Sequence, residues 1–187
     1  SEMCIRDRTY YYHIDRPGTF MYHCHVEAAE HMQMGMLGNL YIRPAQNGTV
    51  YVDPDGSGRS YSQFVYNDGD GSTGYDVEFP IQLGSFDPEF HDASMNVQPL
   101  PFANMKDTYA MMNGRGYPDT VNTGALVPPD ETGGKETQVE NALIQATAGQ
   151  KILIRLSNLN ITNYYTVGVN GGLTMKAVSY THLRAHE

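Results

Sequence analysis

The chain has 187 residues, room for one or two domains, and 21 acidic against 12 basic side chains give it a formal net charge of -9. No basic cluster offsets that charge, which argues against a nucleic-acid partner, and no apolar run approaches the roughly eighteen residues of a membrane span. Two cysteines allow at most one disulfide.

Taken in order, the chain opens with SEMCIRDR (1–8) and closes with VSYTHLRAHE (178–187). Both ends resemble translated sequencing-adapter read-through. Neither follows a targeting pattern, and no charged and apolar signal-peptide regions are visible. They are set aside from fold reasoning, and Cys4, His182 and His186 with them. The chain between them then reads as an internal piece of a longer protein. Thr9 to Ile14, TYYYHI, alternates and predicts a strand. Asp15-Arg16-Pro17-Gly18 predicts a turn, because Pro pre-sets its backbone angle and Gly accepts a positive one. Thr19 to His23 predicts a second strand, so the two strands would form a hairpin. His13 in the first strand is read as structural.

The stretch from Gly18 to Tyr41, GTFMYHCHVEAAEHMQMGMLGNLY, carries the chemistry. Side chains alternate on a strand, so Cys24 is expected on one face and His23 and His25 on the other. VEAAEH has helix formers and no breaker, so a short turn of helix should swing His31 back toward the thiol. Gly35 allows a tight bend before Met36. Taken singly, a Cys or a Met is ordinarily a core residue, and a strand His is ordinarily just hydrogen-bonded. Five such residues within fourteen positions are a different case. Thiolate, imidazole and a weak axial thioether make the ligand set of a blue copper centre. Leu37 to Ile42 predicts a further strand, ended by Pro44.

PGTFMYHCHVEAAEHMQMGM resembles the type 1 copper motif of multicopper oxidases. The resemblance implies that Cys24, His31 and Met36 are type 1 copper ligands, and that His23 and His25 are type 3 ligands in a trinuclear copper cluster. The common motif has three residues between HCH and the next His, whereas this chain has five. A longer loop occurs in some bacterial relatives and in copper nitrite reductases, so the departure bears on the subfamily.

Residues 47–74 are rich in turn signals, among them Asn47-Gly48, Asp53-Pro54-Asp55-Gly56 and Asp68-Gly69-Asp70-Gly71, and predict a linker. Asp53, Asp55, Ser57 and Gly58 fit the opening of a calcium-binding loop, but its twelfth position is Phe64 rather than Glu, which argues against calcium. Tyr75 to Phe86 predicts a strand, Asp87 to Lys106 an irregular excursion with a helical turn, and Thr108 to Met111 a strand before the Met112-Asn113-Gly114 turn. Asn141 to Ala146, Gln150 to Asn158 and Thr162 to Val169 predict strands. Short strands at turn-punctuated spacing argue an all-β sandwich.

FPIQLGSFDPEFH, MMNGRGYP and AGQKILIRLSNLNITNYYTVGVNGG resemble the second domain of a multicopper oxidase. The implied architecture is two consecutive, incomplete, cupredoxin-like Greek-key sandwiches, 9–46 and 75–177. The second is expected to hold no copper, because Tyr165-Thr166-Val167 and Asn170-Gly171 stand where a His-x-His pair would be. His91 is expected to be a surface or capping residue.

The implied function is that of an oxidoreductase. A small-molecule or metal-ion substrate is oxidised at the type 1 copper, and electrons pass to the trinuclear site, where O2 is reduced to water. Other cupredoxin domains of the same chain or oligomer would supply the remaining ligands, and the protein would be periplasmic or secreted. The piece alone would be inactive. An electron-transfer cupredoxin and a copper nitrite-reductase-like protein are the alternatives. Two imidazoles flanking the thiol argue against both, since a carrier needs one face only and the reductase motif has a single His before the Cys.

Overall fold

The computed structural model describes residues 9–96 and 102–178. The suspected adapter segments therefore lie outside the described residues, save Val178. Strands dominate what is described, in keeping with an all-β chain. They are β1 (Gly18–His23), β2 (Leu37–Ile42), β3 (Tyr51–Val52), β4 (Ser60–Tyr61), β5 (Val77–Phe86), β6 (Tyr109–Met112), β7 (Arg115–Gly116) and β8 (Ile152–Asn158). Two short helices accompany them, α1 (Ala28–Gln33) and α2 (Pro88–Ser94).

β1 and β2 form an antiparallel pair whose register runs from Gly18↔Ile42 to His23↔Leu37. The thirteen residues between these strands are therefore a closed loop, and it holds Cys24, His25, His31 and Met36. The strands approach closely where Tyr22 faces Gly38: a Cβ on Gly38 would lie 2.5 Å from the Tyr22 hydroxyl, so the ring covers the place a side chain would fill.

Thr9 to Ile14 does not pair, which corrects the expected first hairpin. An isolated alternating run has no ladder to satisfy its backbone groups, and Tyr10, Tyr11 and Tyr12 are 66%, 92% and 79% exposed. β1 spends its ladder on β2 instead.

The larger sheet has the order β7-β6-β5-β8. Leu83–Phe86 of β5 pair antiparallel with β6, and Val77–Leu83 pair in parallel with β8. Pro80 lies on β5 before β6 begins, where one edge is free of the ladder and a missing N–H is tolerated. The expected turn at Asn113-Gly114 joins β6 to β7, with Asn113 at φ 51°. Asn141 to Ala146 and Thr162 to Val169 are not strands. Around the first, the Asn141 carbonyl accepts from the Asn113 amide at 2.9 Å and the Ala142 N–H donates to the Thr120 carbonyl at 2.6 Å. Those backbone groups are committed to loops rather than to a ladder. The second run is exposed on both faces.

The expected linker is folded rather than extended. β3 pairs with β4, and Asp53, Tyr61, Phe64, Val65 and Tyr75 are buried. The Asp68 carboxylate accepts from the N–H groups of Gly71 and Thr73 at 3.0 and 2.8 Å, so the Gly- and Asp-rich turns are a hydrogen-bonded scaffold. The carboxylates of the calcium-like loop are engaged by a lysine: Lys151 Nζ contacts Asp53 and lies 3.0 Å from Asp55 Oδ2.

Three buried polar groups hold the elements together. Arg115 is fully buried and donates to the carbonyls of Gln138 (2.7 Å), Asn122 (2.6 Å), Gly124 (2.9 Å) and Asp119 (3.3 Å), so one guanidinium shapes the loop after β7. Asp87 caps α2 through Phe90 N–H at 3.2 Å and accepts from Lys106 N–H at 2.6 Å. Arg155 of β8 donates to Glu78 of β5 (2.7 Å) and to Thr19 of β1 (3.1 Å), and its guanidinium lies 5.5 Å from the centre of the Tyr41 ring of β2. Glu78 also accepts from the Tyr75 hydroxyl at 2.7 Å and pairs with Arg43. The β1–β2 pair is thereby fixed to the β5–β8 pair.

Two outcomes follow. Arg155→Met leaves partly buried Glu78 with Arg43 and Tyr75 alone and should cost about 3 kcal/mol, read as a lowered urea midpoint. Acid should weaken the fold in two stages. Burial holds His91 below its ordinary value of 6.5, so the unfolded chain takes that proton first and stability is lost as pH falls below about 6.5 toward the folded value. Burial pushes Glu78 and Asp87 up, but the hydrogen bonds each accepts outweigh it and hold them below 4.5 and 3.8. Their contribution is complete above those values and is lost as pH falls through the lower folded ones. Urea midpoints between pH 8 and pH 3 check this. His91→Phe should remove the first stage and keep the second.

Candidate metal centre

The loop closed by β1 and β2 is built from the backbone outward. Cys24 N–H donates to the Met36 carbonyl at 3.0 Å, which extends the ladder one step past His23. Met36 N–H donates to the His31 carbonyl at 2.9 Å. Gly35, at φ 95°, makes the bend that lets α1 turn back into β2. α1 starts on Glu27 in the left-handed region with no side-chain cap bond. These closures fold the loop on itself, as its sequence suggested.

They bring Cys24 and His31 together: Sγ lies 3.2 Å from Nδ1 across seven positions. A sulfur at about 2.3 Å and a nitrogen at about 2.0 Å from one tetrahedral ion stand roughly 3.5 Å apart, so the pair fits two donors to one metal. The Sγ atom also contacts the Val26 carbonyl (3.1 Å) and accepts from Val26 N–H at 3.4 Å. His31 Nε2 lies 4.0 Å from the Glu27 carboxylate. Met36 joins the pair through its backbone, and its side chain is among the exposed ones. Cys24 is a free thiol.

His23 and His25 form a second group. Their rings stack with centroids 4.8 Å apart and planes within 7°, the same-side placement that strand alternation predicts for i and i+2. His23 Nδ1 lies 2.8 Å from the Cys24 carbonyl. A carbonyl can only accept, so Nδ1 carries the hydrogen and Nε2 keeps the lone pair. A metal-ligating His is usually held in this way.

Glu27, Glu30 and Gln33, which the sequence reading passed over, complete the picture, and His91, expected at the surface or as a cap, is partly buried instead. Glu27, Glu30 and His31 place one ligand atom each within 4.8 Å of one another, and the spacing i, i+3, i+4 on a helix was the available signal. Gln33 is buried and faces the second half of the chain, with Oε1 2.9 Å from His91 Nε2. His91 itself is half-buried on α2 and stacks on Phe86. His13 lies in the exposed coil before β1, and Tyr165, Val167 and Asn170 are in exposed coil.

Residues 6–46 match a protein family described as multicopper oxidase. No curated protein and no solved structure matches the chain. The matched residues span the strand, the helix and every donor assembled above. Over these residues the chain is similar to the multicopper oxidases, a family whose cofactor is copper.

Proposed function

We propose that this chain is part of an oxidase in which Cys24, His31 and Met36 hold one copper and His23 and His25 serve a trinuclear copper site on the opposite face. The observation that carries the reading is the 3.2 Å approach of Cys24 Sγ to His31 Nδ1 within a loop closed by backbone hydrogen bonds. Copper bound there supplies one-electron chemistry between a reduced substrate and O2.

The chain's own residues do the rest. Val26 N–H is directed at the sulfur at 3.4 Å and helps to fix its place in the loop. His31 presents Nδ1 to the sulfur, while its Nε2 lies 4.0 Å from the Glu27 carboxylate. Met36 offers a weak thioether whose distance tunes the site. The two peptide bonds around Cys24 link the thiol to both imidazoles, a short covalent path from one face of the strand to the other. The stacked imidazoles favour this reading over a simple electron carrier, which has no use for a second face. The substrate is a small molecule or a metal ion. Other cupredoxin domains, in the same chain or an oligomer, complete both sites, and the protein works in the periplasm or outside the cell. In this reading the Greek-key sandwich is shared between this chain and those domains.

Two variants of the intact protein test the assignment. Cys24→Ser should abolish the intense thiolate–copper absorption and oxygen uptake together, and a band surviving in that variant sinks the ligand set. His25→Ala should keep the band and lose oxygen uptake. Full oxygen uptake in that variant, or loss of the band, would show that the two faces are not separate.

A further inference from the structure

α1 has a second face, and none of the copper donors lies on it. Ala29 and Gln33 are four residues apart and share one side of the helix, while His31 lies between them on the other. Ala29 packs against the buried pair Phe90 and Met105 of the chain's second half. Gln33 is the buried residue of the helix, 8% exposed. Its Oε1 accepts from Asp87 N–H at 3.1 Å and faces His91 Nε2 at 2.9 Å. The amide orientation is fixed, because a backbone N–H can only donate. His91 must then donate from Nε2.

Both partners of Gln33 are themselves held. Asp87 is 3% exposed and caps α2. His91 stacks on Phe86, with centroids 4.5 Å apart and planes within 10°. α1, by contrast, has six residues and no side-chain cap bond, so it has little stability of its own and depends on tertiary contacts. The His31 carbonyl accepts from Met36 N–H, and the Met36 carbonyl accepts from Cys24 N–H. A shift of α1 therefore strains or breaks these two closures and moves His31 relative to the thiol.

We propose that Gln33, gripped by Asp87 and His91, is the positioning residue that sets His31 on Cys24; its consequence for catalysis rests on the copper reading above. The second half of the chain thereby aims the donor pair without contributing a donor. Gln33 acts through α1 and touches neither the thiol nor the reacting atoms.

The test uses the full chain in a Cys4→Ser background, so that one thiol is read. The reaction rate of Cys24 with an aromatic disulfide reagent is measured on the metal-free folded protein. The intact protein, with the domains that complete its sites, is then loaded with copper and gives the thiolate absorption band. Gln33→Leu removes the acceptor. His91→Phe keeps the ring stack and removes one donor, and it decides the matter if Gln33→Leu does not fold. Both should speed the Cys24 reaction about two- to ten-fold, the worth of one or two hydrogen bonds, and both should shift the copper band. Arg115→Ala, which loosens the loop after β7, should lower the urea midpoint and leave the Cys24 rate unchanged. Wild-type rates in both Gln33→Leu and His91→Phe overturn the proposal. Equal acceleration in Arg115→Ala also overturns it, because the effect would then be general loosening. If copper gives the intact protein, with the domains that complete its sites, no thiolate band, the copper reading fails, and the metal-free rates still decide on Gln33.

Discussion

The arrangement depends first on the buried pairing of Arg155 with Glu78. The Arg155 side chain is 1% exposed and that of Glu78 17%. Removing such charges from water costs several kcal/mol each, and geometry must repay it. Here the repayment comes from several directions at once. Glu78 receives the Arg155 guanidinium, the Tyr75 hydroxyl and Arg43, while Arg155 also donates to Thr19 and stacks near Tyr41. Thr19, Tyr41 and Arg43 all belong to β1, β2 or the residue that follows. A hydrophobic contact between the same elements would be non-directional. The fork of an arginine is directional, so the β1–β2 pair has one orientation on the larger sheet, and its loop leaves in one direction.

Within that loop the chain uses the same device twice. A strand has period two, which separates Cys24 from the stacked pair His23 and His25. A helix has period 3.6, which separates His31 from Ala29 and Gln33. Each element thus carries chemistry on one side and something else on the other: a second imidazole site in the strand, an anchor in the helix. The backbone bonds from Cys24 to Met36 and from Met36 to His31 join the two elements, so neither can rotate without the other.

What the sequence revealed was what local rules determine. β2 lies at Leu37–Ile42 as expected, β1 lies within one residue of its expected start, and the helix that returns His31 to the thiol follows from a run of helix formers ended by Gly35. The failures are of another kind. Thr9 to Ile14 reads as a strand by its alternation, but a strand exists only where a neighbour accepts its ladder, and alternation says nothing about neighbours. Residues 47–74 looked like a linker because Gly and Asp punctuate linkers and hydrogen-bonded turns alike; only the burial of Asp53, Phe64 and Thr73 separates the two. Gln33 was missed for a related reason. A glutamine late in a short helix reads as solvated until the residue it reaches, 54 positions on, is known. The five residues proposed as donors were picked out by the motif, and the geometry adds the closeness of Cys24 to His31 and of His23 to His25.

Motif and scaffold are therefore different parts of this chain. The family match ends at residue 46, yet the groups that orient the matched residues, Glu78, Asp87, His91 and Arg155, all lie beyond it. The residues proposed as donors are near one another in sequence, because one strand and its loop carry them, and that makes them recognisable. The groups that orient them need no such nearness. They need only the right distance in space, and a sheet with a parallel β5–β8 pair brings Glu78 beside Arg155 across 77 positions. Long-range polar contacts of this kind are set by topology. A substitution in the second half can therefore disturb the donor pair while leaving every motif residue in place.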